Sequence, residues 1–298
     1  MAIRVESPFT SRARYYSSAD GFDIRRPRVP AHVFRAERSR ALDPATPTGL
    51  IPLDLSGPLA LEFPATTPLI LARYARIRAG ETFSTAFAAS GEIHYVMAGA
   101  GESTWGPDSI GWEAGDIFCL PGGHAVSHTA AAADSLLWAV TNEPELAFEA
   151  ARPPAPGRAP IEPVHYPAGE IRRQLDAIHH LPPERVGAGR AVTFATSSLE
   201  KARTCLPSLT LAMNSLLPRE SQRAHRHNAV AVTLIVKAER CHSRVGGTRI
   251  DWLEHAVMIT PPADVHSHHN EGDALARFLI VQDGGLHYHC RTMGFSYE

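Results

Sequence analysis

Three histidines near the C-terminal end carry the clearest chemistry in this chain. His225-Arg226-His227 is followed, 39 residues on, by His266 in the run Thr260-Pro261-Pro262-Ala263-Asp264-Val265-His266-Ser267-His268-His269-Asn270. Side chains at i and i+2 point the same way on a β-strand, because its faces alternate. A third histidine arriving from a distant strand would bring three neutral imidazoles to one point. Such a set suits a first-row transition metal with open coordination positions, where a small molecule and dioxygen could bind. Sixteen histidines in 298 residues is a high number, and nine of them fall between His225 and His289.

The elements that must position this set are read from composition and pattern. The chain is 44% hydrophobic, ample for a buried core, and its 298 residues suggest two domains. A net charge of −2 gives no reason to expect a nucleic-acid or anionic-membrane partner. No apolar run reaches the ~18 residues of a membrane span. The start, Met1 to Ser7, lacks the apolar stretch of a secretory signal. Cys119, Cys205, Cys241 and Cys290 are scattered, which predicts reduced cytoplasmic thiols.

Short apolar stretches between turn signals predict strands over 69–77, 93–97, 117–120, 136–140, 191–194, 209–217, 230–236, 256–259 and 277–281. Helical periodicity is clear only over Ala168 to Leu181, stopping before Pro182-Pro183. A mainly β protein follows, built of sandwiches or jelly rolls. Five prolines between Ala151 and Pro163 read as a stiff linker. About the first 55 residues are arginine-rich and irregular, an arm expected to pack on its own chain or on a sister subunit. An internal repeat sets the architecture. Pro68 to Glu81 parallels Pro207 to Glu220 at an offset of 139, and Trp112 to Ile117 parallels Trp252 to Val257 at 140. A duplicated domain leaves that trace.

The repeated segments resemble the cupin motifs, G-x5-H-x-H followed by a glutamate and a glycine, then G-x5-P followed by a histidine. His225, His227 and His266 fill the histidine positions of the second repeat. In the first, Gly80, Glu92, Gly99, Gly115 and Pro121 match, but Ala86, Ala88 and Val126 stand at the histidine positions. The second repeat is similar to the gentisate 1,2-dioxygenase family, which includes salicylate and 1-hydroxy-2-naphthoate dioxygenases. The matching residues are Ala224 to His227, Thr260-Pro261, His266-Ser267-His268, Asp283, Met293-Gly294-Phe295 and Glu298. The resemblance implies an all-β fold of two tandem cupin (jelly-roll β-barrel) domains with a short linker helix and an extended N-terminal arm. The expected divisions are an arm over 1–60, a degenerate cupin over 61–150, linker and helix over 151–185, and a metal-binding cupin over 186–298. It further implies Fe(II) held by His225, His227 and His266, with Mn, Ni or Zn as alternatives. The motif glutamate is omitted, as Ala231 agrees, and a hydroxylated aromatic acid is opened oxidatively with O2. A homodimer or homotetramer is the implied assembly.

This chain departs from the family in three ways. The family's working iron usually sits in the N-terminal cupin, whose histidines are missing here. Arg219 and His255 replace two motif glycines, which predicts altered turns. Pro262-Ala263-Asp264-Val265 replaces an aromatic-rich wall before His266.

Supporting roles are assigned on chemistry. His268, or Glu271 or Asp273, could fix the tautomer of a ligand histidine, and His268 is the candidate catalytic residue. Arg223, Arg244 and Arg277 are candidate anchors for a substrate carboxylate. His287 and His289 would share one face of a strand. Glu92, His94, His124 and His128 could build an unorthodox metal site in the first barrel, against the plainer reading that this half serves packing and dimerisation. Two other functions compete with ring cleavage: a lyase, isomerase or decarboxylase using Zn, Mn or Ni, and a non-catalytic small-molecule-binding bicupin.

Overall fold

A computed structural model of the protein describes residues 7–182, 185–186 and 189–298. Residues 1–6 of the start and Pro183 at the helix stop lie outside the described residues. The nine apolar stretches form strands, and all nine lie in two six-stranded antiparallel sheets. One runs in the spatial order Val164–Tyr166, Ile117–Pro121, Gly91–Ala98, Ser135–Thr141, Leu71–Ile77, Gly49–Pro52. The other runs His32–Val33, Val257–Thr260, Ala231–Lys237, Ala276–Gln282, Thr210–Leu216, Arg190–Phe194.

The central strands of these two inner sheets are buried on both faces, so they read as largely apolar runs, with Arg73 and Arg76 as buried exceptions. Leu71–Ile77 and Ser135–Thr141 are buried along their whole length. One face of each sheet packs against the other through a shared core containing Tyr74, Ile93, Trp138, Val232, Leu234 and Leu279. Each such side chain is worth about 1.5–3 kcal/mol when fully buried. The opposite faces point into two barrels, each closed by a smaller outer sheet. The first outer sheet has four strands, Thr82–Thr85, Val126–Ala130, Ala100–Trp105 and Asp108–Glu113. The second has five, Thr248–Asp251, Cys241–Val245, His266–Asn270, His225–His227 and Phe295–Tyr297. Val96, Phe118 and Leu137 fill the first barrel, and Ile235, Met258 and Phe278 fill the second.

Segments from outside the repeats strap the barrels together. His32–Val33, from the arm, adds an edge strand to the second barrel, with His32 opposite Ile259 and Val33 opposite Met258. The arm therefore packs on its own chain, beginning with the Arg28–Asp264 pair and Val29 against the shared core. Phe9, Tyr15, Tyr16, Phe22 and Ile24, earlier in it, are exposed. The linker helix spans Ala168–His179 and seats Ile171 and Leu175 in the shared core. Tyr74 donates its hydroxyl proton to the carbonyl oxygen of His255 at 2.6 Å, a bond between the two halves. No helix among the described residues is long and apolar enough to cross a membrane.

Two expectations change. His287 and His289 lie in a helix, Gly284–Cys290, so residues two apart do not share a face. The turns at Arg219 and His255 are not altered. Gly80 and Gly115 have φ of +71° and +96°, and Arg219 and His255 keep the same left-handed region at +63° and +66°. The ladders on either side hold that backbone, and the side chain carries a steric cost of about 1–2 kcal/mol. We expect His255→Gly to raise stability by about 1 kcal/mol in chemical denaturation, since the Tyr74 bond uses only the backbone oxygen of residue 255. An unchanged or lower midpoint would show that the ring of His255 outweighs the strain.

Candidate metal centre

The His225–His227 strand is short and lies between two neighbours. His225 is paired with His266 on one side and with Tyr297 on the other, and His227 is opposite Phe295. Strand alternation sends the His225 and His227 rings into the second barrel, and the register sets His266 directly across from His225. Ring centroids are 4.3 Å apart for His225 and His266, 4.7 Å for His227 and His266, and 5.9 Å for His225 and His227. One ring nitrogen of each lies within 4.8 Å of the other two.

Backbone carbonyls decide which nitrogen that is. His225 Nδ1 donates to the Arg223 oxygen at 2.9 Å, His227 Nδ1 to the Ala229 oxygen at 2.8 Å, and His266 Nδ1 to the Asp264 oxygen at 2.9 Å. A carbonyl only accepts, so each Nδ1 carries the proton and each Nε2 keeps its lone pair. Burial lowers the pKa of all three below the ordinary histidine value, and that of His266 to about 3, so the neutral form prevails. Three neutral acceptors converging on one point fit a borderline first-row cation. The backbone bonds do the orienting that Glu271 and Asp273 were expected to do. Glu271 instead pairs with Arg249, and Asp273 with Arg219.

The triad opens on a cavity of about 230 Å³, lined also by Asn214, Gln222, Thr260, His268, Ile280 and Gln282. The Gln282 side-chain amide donates to His227 Nε2 at 3.2 Å, a partner that only a proton-free nitrogen can accept. Ala231, which stands where the first barrel has Glu92, registers with Thr260 and Gln282 and puts only a methyl group into the cavity. The tail closes one side, with Met293 and Phe295 in the wall and Phe295 stacked on His225 at 5.3 Å.

The three arginines read from sequence do not line this cavity. Arg223 is exposed and stacks on Tyr297. Arg244 is exposed on the outer face of its strand. Arg277 shares a strand face with Leu279 and Val281, which point into the shared core. Cations line a neighbouring cavity of about 790 Å³ instead, where Lys201, Arg203 and Arg291 surround space that shares Thr210, Ala212, Gln282 and Tyr288 with the first. Lys201, Arg203 and Arg291 have no ion-pair partner among the described residues. Sequence reasoning missed these cations because they lie in loops and at a helix end, where no period marks a facing. In the first barrel Glu92, His94 and His128 come together, while His124 lies outside that set in a half-buried bend, near enough to Glu92 to favour its charged form.

Comparison with known proteins follows the same line. No protein-family profile matches the chain. A gentisate 1,2-dioxygenase from Ralstonia is 26% identical over 144 residues, 48% of this chain and 40% of that protein. A 1-hydroxy-2-naphthoate 1,2-dioxygenase from Nocardioides is 30% identical over 101 residues, 33% of this chain and 26% of that one. The chain thus spans less than half the length of these curated relatives. Among solved structures, the salicylate 1,2-dioxygenase of Pseudaminobacter salicylatoxidans superposes with a TM-score of 0.76 at 12% identity, covering 99% of this chain and 94% of that one. A cupin 2 conserved barrel domain protein from Leptotrichia buccalis gives 0.52 at 12% identity, covering 82% and 93%. The fold is that of two cupin barrels, and the chain resembles the gentisate and salicylate dioxygenases.

His268 has its own support. It is buried, lines the cavity, and bonds through Nδ1 to Ser243 Oγ at 2.8 Å, while Trp252 Nε1 donates to the same oxygen at 2.7 Å. His128, Ser103 and Trp112, all 140 residues earlier, make the same pair of bonds in the first barrel, at 2.8 and 2.9 Å. His269, on the opposite face, bonds to Ser221 and Ser267 instead. Ser243→Ala strips partners from both His268 and Trp252. A loss of about 1–3 kcal/mol is expected in urea denaturation, the cost of leaving buried polar groups unpaired. Stability within a few tenths of wild type would show that the serine is dispensable.

Proposed function

We propose that the chain is a non-haem Fe(II)-dependent dioxygenase that opens the ring of a hydroxylated aromatic acid, both atoms of O2 entering the product as one ring carbon–carbon bond breaks. The observation that carries this reading is the set of three proton-free Nε2 atoms facing a cavity with no carboxylate at the position of Ala231. His225, His227 and His266 would hold the iron. Three neutral ligands leave the full charge of the cation, and an anionic phenol-carboxylate is drawn to it more strongly than if a glutamate shared the site. Bound Fe(II) would supply a Lewis-acid centre for that substrate and a redox partner for O2.

The chain's own groups do the remaining work. Ile280, Met293 and Phe295 offer apolar faces to a ring, and Gln282 and Asn214 offer amide donors to its oxygens. An engineered cavity of about 150 Å³ accepts benzene, so about 230 Å³ favours one ring with its acid substituents over a fused pair. His268, the candidate catalytic residue, lines the cavity and is kept neutral by burial, so its role is to hydrogen-bond a substrate hydroxyl and orient it. Lys201, Arg203 and Arg291 raise the local concentration of anions outside the same wall. The reading includes a cytoplasmic homo-oligomer, dimer or tetramer. Four unpaired cysteines support the first part, and the exposed aromatic side chains of the arm support the second.

Anaerobic loading with Fe(II), followed by O2 and a panel of gentisate, salicylate and 1-hydroxy-2-naphthoate, is expected to consume one O2 per ring-opened product with at least one single-ring acid. His227→Ala should abolish uptake with the fold retained by circular dichroism. Turnover that proceeds without O2 on a stoichiometric Zn, Mn or Ni ion would replace this reading with a lyase, isomerase or decarboxylase. Ala231→Glu returns a carboxylate to the cavity. It is expected to tighten metal retention against a chelator and to lower kcat/KM for acidic substrates by about tenfold or more, about 1.4 kcal/mol. An undiminished kcat/KM would show that ligand charge is not what selects the substrate.

A further inference from the structure

Barrel one has lost the three mouth positions to Ala86, Ala88 and Val126, but its interior is not apolar. Glu92 and His94 point inward from Gly91–Ala98, on the face of Val96, and His128 points inward from Val126–Ala130, between Val126 and Ala130. All three are at most 1% exposed, and one donor atom from each lies within 4.8 Å of the others. His128 corresponds in the repeat to His268, not to His266, so this set lies one pleat deeper than the triad of the second barrel.

The bonding inside the set is incomplete. His94 Nε2 and Glu92 Oε2 are 2.9 Å apart, and His128 Nε2 faces Thr85 Oγ1 at 3.1 Å. Glu92 Oε1 and His94 Nδ1 are buried and have no partner. Burial pushes the pKa of the Glu92 carboxyl up to about 8 and that of the His94 ring down to about 3, so without a cation the pair is neutral and two buried polar atoms go unmet, whereas a cation would restore the carboxylate and could take up such atoms. The ligand side, by contrast, is already braced. Ser103 and Trp112 fix the His128 ring, and the His94 ring lies flat on Phe118 at 4.7 Å, 9° from parallel. Rings held in this way behave like metal ligands with their outer support in place. One carboxylate and two imidazoles suit a divalent first-row ion, and Phe118, Val126 and Phe83 pack around them.

We propose that Glu92, His94 and His128 hold a second divalent transition-metal ion, closed and structural, at the centre of the first barrel. Glu92 and His94 belong to the inner sheet and His128 to the outer sheet, so the ion clasps the two walls of that barrel. Its binding free energy would add to folding, because the unfolded chain has no such site.

The test uses the full chain, stripped with a chelator and titrated with Co(II), read by metal analysis and by visible absorption. Wild type should saturate at two ions per chain, Glu92→Gln at one, and the double variant His225→Ala/His227→Ala at one, with the thermal midpoint of the double variant rising on Co(II) addition. A single ion that is lost in His225→Ala/His227→Ala and kept in Glu92→Gln overturns the proposal. A single ion with the reverse pattern supports it and overturns the reading of the second barrel instead. Should Glu92→Gln fail to fold, anomalous scattering at the cobalt edge on wild-type crystals decides: density between Glu92 and His128 supports the clasp, and its absence overturns it.

Discussion

A buried imidazole has two nitrogens to satisfy, and that requirement governs both barrels. In the second barrel each ring of the triad spends Nδ1 on a carbonyl two residues away in sequence, just beyond the end of its strand. The tautomer is thereby set by local backbone, without a carboxylate, and three lone pairs are left facing a common space. The sheet supplies what an isolated strand could not. Pairing of His225 with His266 brings residues 41 apart in sequence into direct opposition. The two inner sheets, buried against each other, hold the barrel walls that the short His225–His227 strand leans on.

The inner sheets were legible in sequence because burial on both faces leaves no polar alternation to confuse them. All nine apolar stretches fell there. The outer sheets were not, since strands such as Thr82–Thr85 and Cys241–Val245 mix serine, threonine, histidine and arginine. Among them only His225–His227 and the stretch at His266 stood out, through histidine spacing. The triad was readable from types and separation. Arg223, Arg244 and Arg277 were read by proximity in sequence, which strand parity defeats: Arg277 is one residue from Phe278 yet faces the opposite side. The Trp252–Ser243–His268 chain could have been found by aligning the two repeats at 140, where Trp112, Ser103 and His128 recur.

The halves have diverged in opposite senses from one pattern. The second keeps its polar residues at the mouth, where they border open space. The first carries them inward, between its inner and outer sheets. At Arg219 and His255 the duplicated turns outlived the glycines that made them easy, which indicates that ladder pairing fixed the backbone and side-chain identity followed. The same asymmetry places the loop cations Lys201 and Arg203 beside the second barrel.

The arm strand also bears on the order of assembly. His32–Val33 leaves the ribosome before either barrel, yet its partner, Val257–Thr260, is made more than 200 residues later. During synthesis the first barrel can fold while the arm waits unpaired, and the sheet edge it will cover does not yet exist. Completion of the later barrel therefore ends with a very long-range closure, a slow class of event. Until that closure, nascent chains present matching unpaired edges to one another, so exchange of the arm between two chains competes with its capture at home.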